Sequence, residues 1–367
     1  MIHWSERDGW AHFYRYDIDG NLLNRITSGP YHSDNIKYYD KKSNYLFFSA
    51  HGINKEIDPY YEHTYKISLN GGIPKSLNMG DFNTTTYPSD DHKYFVNNFS
   101  RVNTTPKSNL VNSDGSVVMN LETADLSALL ESGYKFPETF KAKADDGITD
   151  LYGVIYKPFD FDENKKYPLL EYVYPGPQTE AVNKDFSVRM DRLDRMAQLG
   201  FVVITLGNRG GHPDRSKWYH NYGYGNLRDY GLADKKYVAQ QLANRHDFID
   251  INRVGIYGHS GGGFMSTAAI LVYPDFFKVA YSQAGNHDNS IYNSWWSETH
   301  HGVMEETDDD GNVKYIYDID KNQSLAKNLK GYLYLVTGDM DNNVHPGATY
   351  RMANALIKAN KKFDFMI

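Results

Sequence analysis

A serine with glycine two residues away on either side, Gly258-His259-Ser260-Gly261-Gly262, is an arrangement from which a hydroxyl can be turned into a nucleophile. The G-x-S-x-G spacing lets the backbone bend sharply between a strand and a helix. Glycine at those two places permits the close approach, and the serine Oγ is lifted clear of the sheet. The flanks have the required texture, because residues 253–257 read as an apolar strand and residues 261–272 as a helix of small residues. A serine hydroxyl stays a weak nucleophile until a base takes its proton, and the base needs an acid to orient it. That acid belongs on a loop behind a late strand. Val336-Thr-Gly-Asp-Met-Asp-Asn-Asn-Val-His-Pro346 is an apolar strand running into carboxylates. Asp341 is the expected acid and Asp339 the alternative, while loop aspartates also serve simply to cap turns.

The elements that must position these groups are legible around them. A helix is expected at 125–131, then a hairpin of residues 137–144 and 151–157 around Asp145-Asp146-Gly147. Strands follow at 169–174, 201–206, 279–283 and 332–337, helices at 187–198, 227–244 and 348–360, and a last strand begins within 362–367. Strands alternating with helices give a mostly parallel, doubly covered sheet with its reactive groups at the strands' carboxyl ends. With serine ahead of acid, this is the α/β-hydrolase pattern, whose chain order is Ser, acid, His. After Asp341 the chain contains one histidine, His345, four residues on in the same loop. The base is expected from the loop after the following strand. Residues 1–367 are therefore expected to be an internal fragment of a longer enzyme, inactive by itself for want of the triad histidine.

Residues 1–116 have a different texture, with short strands and turns rich in Tyr, Phe, Asn and Asp. Strands are expected at 10–16, 22–27, 44–50, 62–69 and 94–100, with turns at Asp19-Gly20-Asn21, Asn70-Gly71-Gly72 and Asp114-Gly115. Such spacing suggests propeller blades or a sandwich, and at roughly 40–50 residues per blade this length supplies about two blades, too few to close a propeller. The expected division is a C-terminal portion of a β-propeller in residues 1–120 and an α/β-hydrolase domain lacking its final segment in residues 121–367.

The composition narrows the function classes. Hydrophobic residues make up 40% of the 367, enough for two cores, and no run of apolar residues is long enough to span a bilayer. A net charge of −7 with scattered acids disfavours a nucleic-acid partner. With no cysteine there are neither disulfides nor thiolate metal sites. Met1-Ile-His-Trp4 has neither a basic n-region nor an apolar h-region, so no export signal is legible. His287, His300 and His301, with Asp288 and Glu298 nearby, lack the i, i+4 histidine spacing of a helical metal site. Residues 305–311 lack the alternating ligands of a calcium loop and read as a solvated hairpin loop. Neither a metal nor a cofactor is implied.

Four segments together resemble the prolyl oligopeptidase family in its dipeptidyl peptidase IV branch: Trp4-Ser-Glu-Arg-Asp-Gly-Trp10, Val173-Tyr-Pro-Gly-Pro177, Gly258-His-Ser-Gly-Gly-Gly263 and Asp341-Asn-Asn-Val-His345. The similarity covers nearly the whole chain. It implies a β-propeller paired with an α/β-hydrolase domain, and a serine peptidase of dipeptidyl peptidase type acting on oligopeptides through an acyl-enzyme. A carboxylesterase-type hydrolase is the alternative, because the elbow serves either acyl group. The resemblance implies Ser260 as nucleophile, Asp341 as triad acid, and the Gly261 N–H with the Tyr174 hydroxyl as oxyanion donors. Tyr292 and Trp296 resemble paired aromatics that wall a small proline pocket, which Asn343 and Val344 would close. The sequence departs from the family pattern at Trp296, where tyrosine is usual, at Asn289, which replaces an aromatic, and at His259 and Gly261 beside the nucleophile. Arg209-Gly210 falls where the family has an arginine-glycine turn, open to a salt-bridge or a substrate role. Peptide substrates, a homodimer and a periplasmic or secreted location are what the resemblance allows.

Overall fold

The computed structural model describes residues 1–78, 80–175, 178–187 and 192–367. The chain divides into two compact units. One comprises Met1–Glu138 with Asn183–Arg189 and Pro213–Tyr219, the other Thr139–Val182, Met190–His212 and His220–Ile367. No helix among the described residues is long and apolar enough to cross a membrane.

The first unit consists of antiparallel sheets in which each strand pairs with the next. Ile2–Ser5, His12–Tyr16 and Leu22–Arg25 form a sheet of three strands. His32–Asp40, Tyr45–His51, Glu62–Ser68 and Lys75–Ser76 form one of four, and Asn83–Pro88, Tyr94–Ser100, Lys107–Asn112 and Val117–Thr123 form another. Four-stranded meanders of this kind are what propeller blades are made of. Tyr45–His51 is buried on both faces, because successive side chains point to opposite sides of a strand. Phe48 enters a cluster with Phe13, Ile26, Leu46 and Ile67, while Phe47 joins Leu77, Phe95 and Val111.

The second unit is organised on one eight-stranded sheet. In chain order its strands are β1 (Glu138–Lys143), β2 (Asp150–Tyr156), β3 (Tyr167–Tyr172), β4 (Val202–Leu206), β5 (Ile249–His259), β6 (Phe277–Gln283), β7 (Tyr332–Val336) and β8 (Asp364–Met366). Across the sheet they run β1-β2-β4-β3-β5-β6-β7-β8. β2 and β4 are antiparallel, and every pairing from β4 to β8 is parallel. Parallel strands need crossovers. Those crossovers carry α1 (Arg192–Ala197), α2 (Leu232–Arg245), α3 (Gly261–Val272), α4 (Ser294–His301) and α5 (Gly347–Lys358). The carboxyl ends of β3, β5, β6 and β7 consequently open on one edge, where the loops holding Tyr174, Ser260 and Asp341 begin.

The interior of the sheet is apolar, with Val202–Leu206 buried throughout. α3 runs where the small-residue helix is expected, buried from Gly262 to Leu271. α2 begins at Leu232 rather than at 227, after a turn in which the Tyr230 N–H donates to Asn226 O (3.3 Å) and the Leu232 N–H to Asp229 O (3.2 Å); Gly231 at its start packs on Asn208, where an added Cβ would lie 2.7 Å from Nδ2. α1 covers the end of the helix expected at 187–198, of which residues 188–191 lie outside the described residues. Met304–Thr307 and Val313–Ile316 pair as the exposed hairpin expected around residues 305–311. One face of the sheet centre carries a groove of about 860 Å³, lined by Leu170, Tyr172, Ile256, Tyr257, Val279 and Tyr281 among others.

Candidate active site

Ser260 stands between β5 and α3 with φ 57° and ψ −120°, a backbone conformation costly for any residue with a Cβ. Its N–H donates to Gln283 O at the end of β6 (2.8 Å), and its carbonyl accepts the Phe264 N–H (3.0 Å). The glycines explain how the bend fits. A Cβ on Gly258 would lie 2.3 Å from Val173 O, one on Gly262 2.0 Å from the same oxygen, and one on Gly263 2.5 Å from Gln283 O. A Cβ on Gly261 would meet nothing nearer than Pro175 O at 3.8 Å. Glycine is thus obligatory at 258, 262 and 263 and optional at 261. The hydroxyls of Ser266 and Ser282 donate to the carbonyls of Gly262 (2.6 Å) and Gly263 (2.8 Å), tying the first turn of α3 to itself and to β6.

Tyr174 lies two residues beyond β3, with its Cα 3.4 Å from the position a Cβ on Gly262 would take. The tyrosine therefore leaves the strand directly against the elbow. Gly176 and Pro177, at the end of its segment, lie outside the described residues. Asp341 Oδ1 accepts the backbone N–H groups of Asn343 (3.0 Å) and Val344 (2.9 Å). Oδ2 has no hydrogen-bond partner among the described residues, so the loop fixes one carboxylate oxygen and leaves the other available. Asp339 is exposed. Tyr292 links these parts: its hydroxyl donates to Asn343 Oδ1 (3.2 Å) and its ring meets Trp296 edge-on at 5.4 Å. Burial, with smaller contributions from Tyr174 and Asp341, raises the Tyr292 hydroxyl above its ordinary pKa. Val344 is buried and Asn343 exposed. Gly261, Phe264, Trp296, Arg228 and Asn286 share a small pocket beside the serine. The predicted residues thus gather in two connected groups, Ser260–Gly261–Tyr174 at the elbow and Tyr292–Trp296–Asn343–Val344–Asp341 beside it.

The histidines of this region make contacts of their own. His345 Nδ1 accepts the Gly347 N–H (3.0 Å) at the start of α5. His287 is wholly buried, and that burial pulls its pKa down to about 3. Its Nδ1 faces Asn322 Nδ2 at 3.1 Å, which leaves the proton on Nε2. His301 is buried with its ring against Tyr317, and His300 stacks edge-on to Trp296. Arg209 is a structural residue: it pairs with the fully buried Asp234 at 2.7 Å and with Asp146 at 3.3 Å. Sequence reading misses Asn286, whose buried Oδ1 lacks a hydrogen-bond partner beside the pocket. Nothing in the order of residues marks it, since an asparagine's pairing is decided only when the fold closes.

A serine on a strained strand-to-helix turn, an acid loop after β7 and this strand order define an α/β-hydrolase domain. Residues 186–367 match the prolyl oligopeptidase family model, and residues 1–106 match that of the dipeptidyl peptidase IV N-terminal region. The chain belongs to the prolyl oligopeptidase family, in its dipeptidyl peptidase IV branch. It is 33% identical to human dipeptidyl peptidase 8 over 235 residues, 64% of this chain and 26% of that protein. Against dipeptidyl peptidase 4 of Trichophyton equinum the identity is 25%, over 98% of this chain and 46% of the relative. The solved structure of Porphyromonas gingivalis dipeptidyl peptidase 4 matches with a TM-score of 0.83 and 27% identity, covering 100% of this chain and 50% of that one. The chain thus spans half or less of the length of these proteins.

Proposed function

We propose that this chain carries the nucleophile, acid and oxyanion donors of a serine dipeptidyl peptidase that cleaves oligopeptides through an acyl-enzyme. Ser260 Oγ attacks the peptide carbonyl carbon while a histidine takes its proton, and Asp341 Oδ2 orients that histidine and stabilises its charge. The carbonyl oxygen, now negative, accepts from the Gly261 N–H and the Tyr174 hydroxyl, each such donor being worth about 10²–10³ in rate. The amine leaves with the proton from the histidine, and water then hydrolyses the acyl-serine. Tyr292, Trp296, Asn343 and Val344 wall the pocket for the residue preceding the cleaved bond.

The observation that carries this reading is the strained backbone of Ser260, clamped by obligatory glycines with Tyr174 laid against them. The names of the relatives support a peptide over a simple ester as substrate. The burial that lowers His287 and the bond of His345 Nδ1 to the Gly347 N–H support a further point: neither of these histidines is the triad base. Losing the base of a comparable triad costs about 10⁶ in turnover, while the oxyanion hole leaves roughly 10³-fold catalysis over water.

Hydrolysis of dipeptidyl p-nitroanilides and activated dipeptidyl esters by this chain tests both points. The expected result is no enzyme-like anilide turnover, with residual ester hydrolysis that falls at least about 10-fold in Tyr174→Phe. Equal ester rates in the two proteins would remove Tyr174 from the oxyanion site. Rapid anilide turnover that vanishes in His287→Ala or His345→Ala would make that histidine the base and overturn its exclusion.

A further inference from the structure

In the first unit, three neighbouring strands place a ligand-bearing residue on the same rung. His32 stands opposite His51, and His51 stands opposite Glu62. Directly opposed residues of an antiparallel ladder project from one face with Cβ atoms about 4.5–5.5 Å apart. Asp34 joins from the stretch beyond His32 where the register shifts, its Oδ2 accepting from Ser49 Oγ (3.2 Å) and Asn35 Nδ2 (2.6 Å). One ligand atom from each of Asp34, His51 and Glu62 lies within 4.8 Å of the other two.

The imidazole is held as a metal ligand is held. His51 is 7% exposed, and its Nδ1 faces the Tyr60 carbonyl at 3.2 Å with Asp214 Oδ2 at 3.6 Å. That nitrogen therefore carries the proton and Nε2 the lone pair, the tautomer that a carbonyl or carboxylate partner fixes in metal sites. One enclosed atom beside it lacks the partner that buried polar atoms normally have. His32 is 4% exposed, its Nδ1 makes no hydrogen bond, and its ring centre is 6.0 Å from that of His51. Glu62 Oε1 is closed to solvent and ion-paired with the Lys37 ammonium at 3.2 Å, a positive charge that a metal ion would replace.

We propose that Asp34, His51 and Glu62 bind a divalent cation of the zinc class, with His32 as a further donor in the same row. One imidazole with two carboxylates suits zinc and its first-row neighbours, whereas calcium and magnesium take oxygen ligands in larger number. Donors around a four-coordinate zinc with bonds of about 2.1 Å lie roughly 3.4 Å apart, so rotation of the two carboxylates closes the observed spacing.

The full 367-residue chain, stripped with chelator and desalted, is titrated with zinc chloride by calorimetry. One equivalent should bind, the melting temperature should rise, and affinity should fall about 100-fold in the Asp34→Asn/Glu62→Gln variant. Cobalt should give visible absorption bands in the wild type that the variant loses. Circular dichroism of the metal-free variant establishes folding, and Asp34→Asn alone carries the test where the double variant does not fold. Undiminished zinc affinity in a folded variant, or no saturable binding by the wild type, overturns the site.

Discussion

Gly261 and Gly262 are adjacent in the chain and differ in what they tolerate. Alanine at 262 drives a methyl to 2.0 Å from Val173 O, a backbone atom with nowhere to move, whereas alanine at 261 makes ordinary contact at 3.8 Å. Gly262→Ala should therefore cost more than about 3 kcal/mol, and Gly261→Ala should be neutral or stabilise by about 0.5–1 kcal/mol through helix propensity. Thermal melts of the two variants check this, and similar melting temperatures would contradict the elbow's geometry. At this scale the sequence is readable where function is local. Ser260 with its flanking glycines is a contiguous signal, and so is the carboxylate loop of Asp341. Asn286, His287 and Asn322 are not, because their burial and pairing depend on segments far apart in the chain.

Among the elements, β3 and α2 meet through charge. Glu171 on β3 and Lys235 on α2 are 0% and 2% exposed, with Oε1 and Nζ 3.8 Å apart. Lys235 Nζ also donates to Leu206 O. Burial raises the Glu171 carboxyl from 4.5 to about 7, against the pull of Lys235, and the same burial lowers Lys235. Folded Glu171 therefore keeps a proton that the unfolded chain has released, so its contribution to stability is full below about pH 4.5 and is lost as the pH rises through about 7. Glu171→Gln is neutral throughout and removes that slope. The melting temperature of the variant relative to wild type should rise across this window and level off above it; a difference independent of pH would refute the assignment. Asp234, also on α2, accepts from Arg209 and from the backbone N–H groups of Asp145 and Arg209 at 2.9 Å. Asp234→Ala strands the Arg209 charge and should cost about 3–5 kcal/mol by denaturant unfolding. Most of this architecture is visible in strand and helix periodicity. The strand Val117–Thr123 escapes because all seven residues are exposed, leaving no alternation to read. The start of α2 escapes because its N-cap is Gly231, which has no capping side chain to mark the boundary.

At the scale of the whole chain, two textures of sequence correspond to two ways of burying apolar surface. Meandering strands cover one another from sheet to sheet in the first unit, and helices cover a parallel sheet in the second. Parallel sheets are normally covered on both faces. Yet the groove over β3, β5 and β6 leaves apolar side chains facing solvent among the described residues, with Val279 47% exposed. A fluorescent naphthalene sulfonate such as ANS responds to accessible apolar surface and is used to diagnose partly folded states. This chain should brighten the dye while fully folded, with near-ultraviolet circular dichroism intact, and Val279→Lys should dim it without lowering the melting temperature. Dye emission alone would then misreport a native protein as a molten one, so folding of any variant of this chain has to be judged from its aromatic signals.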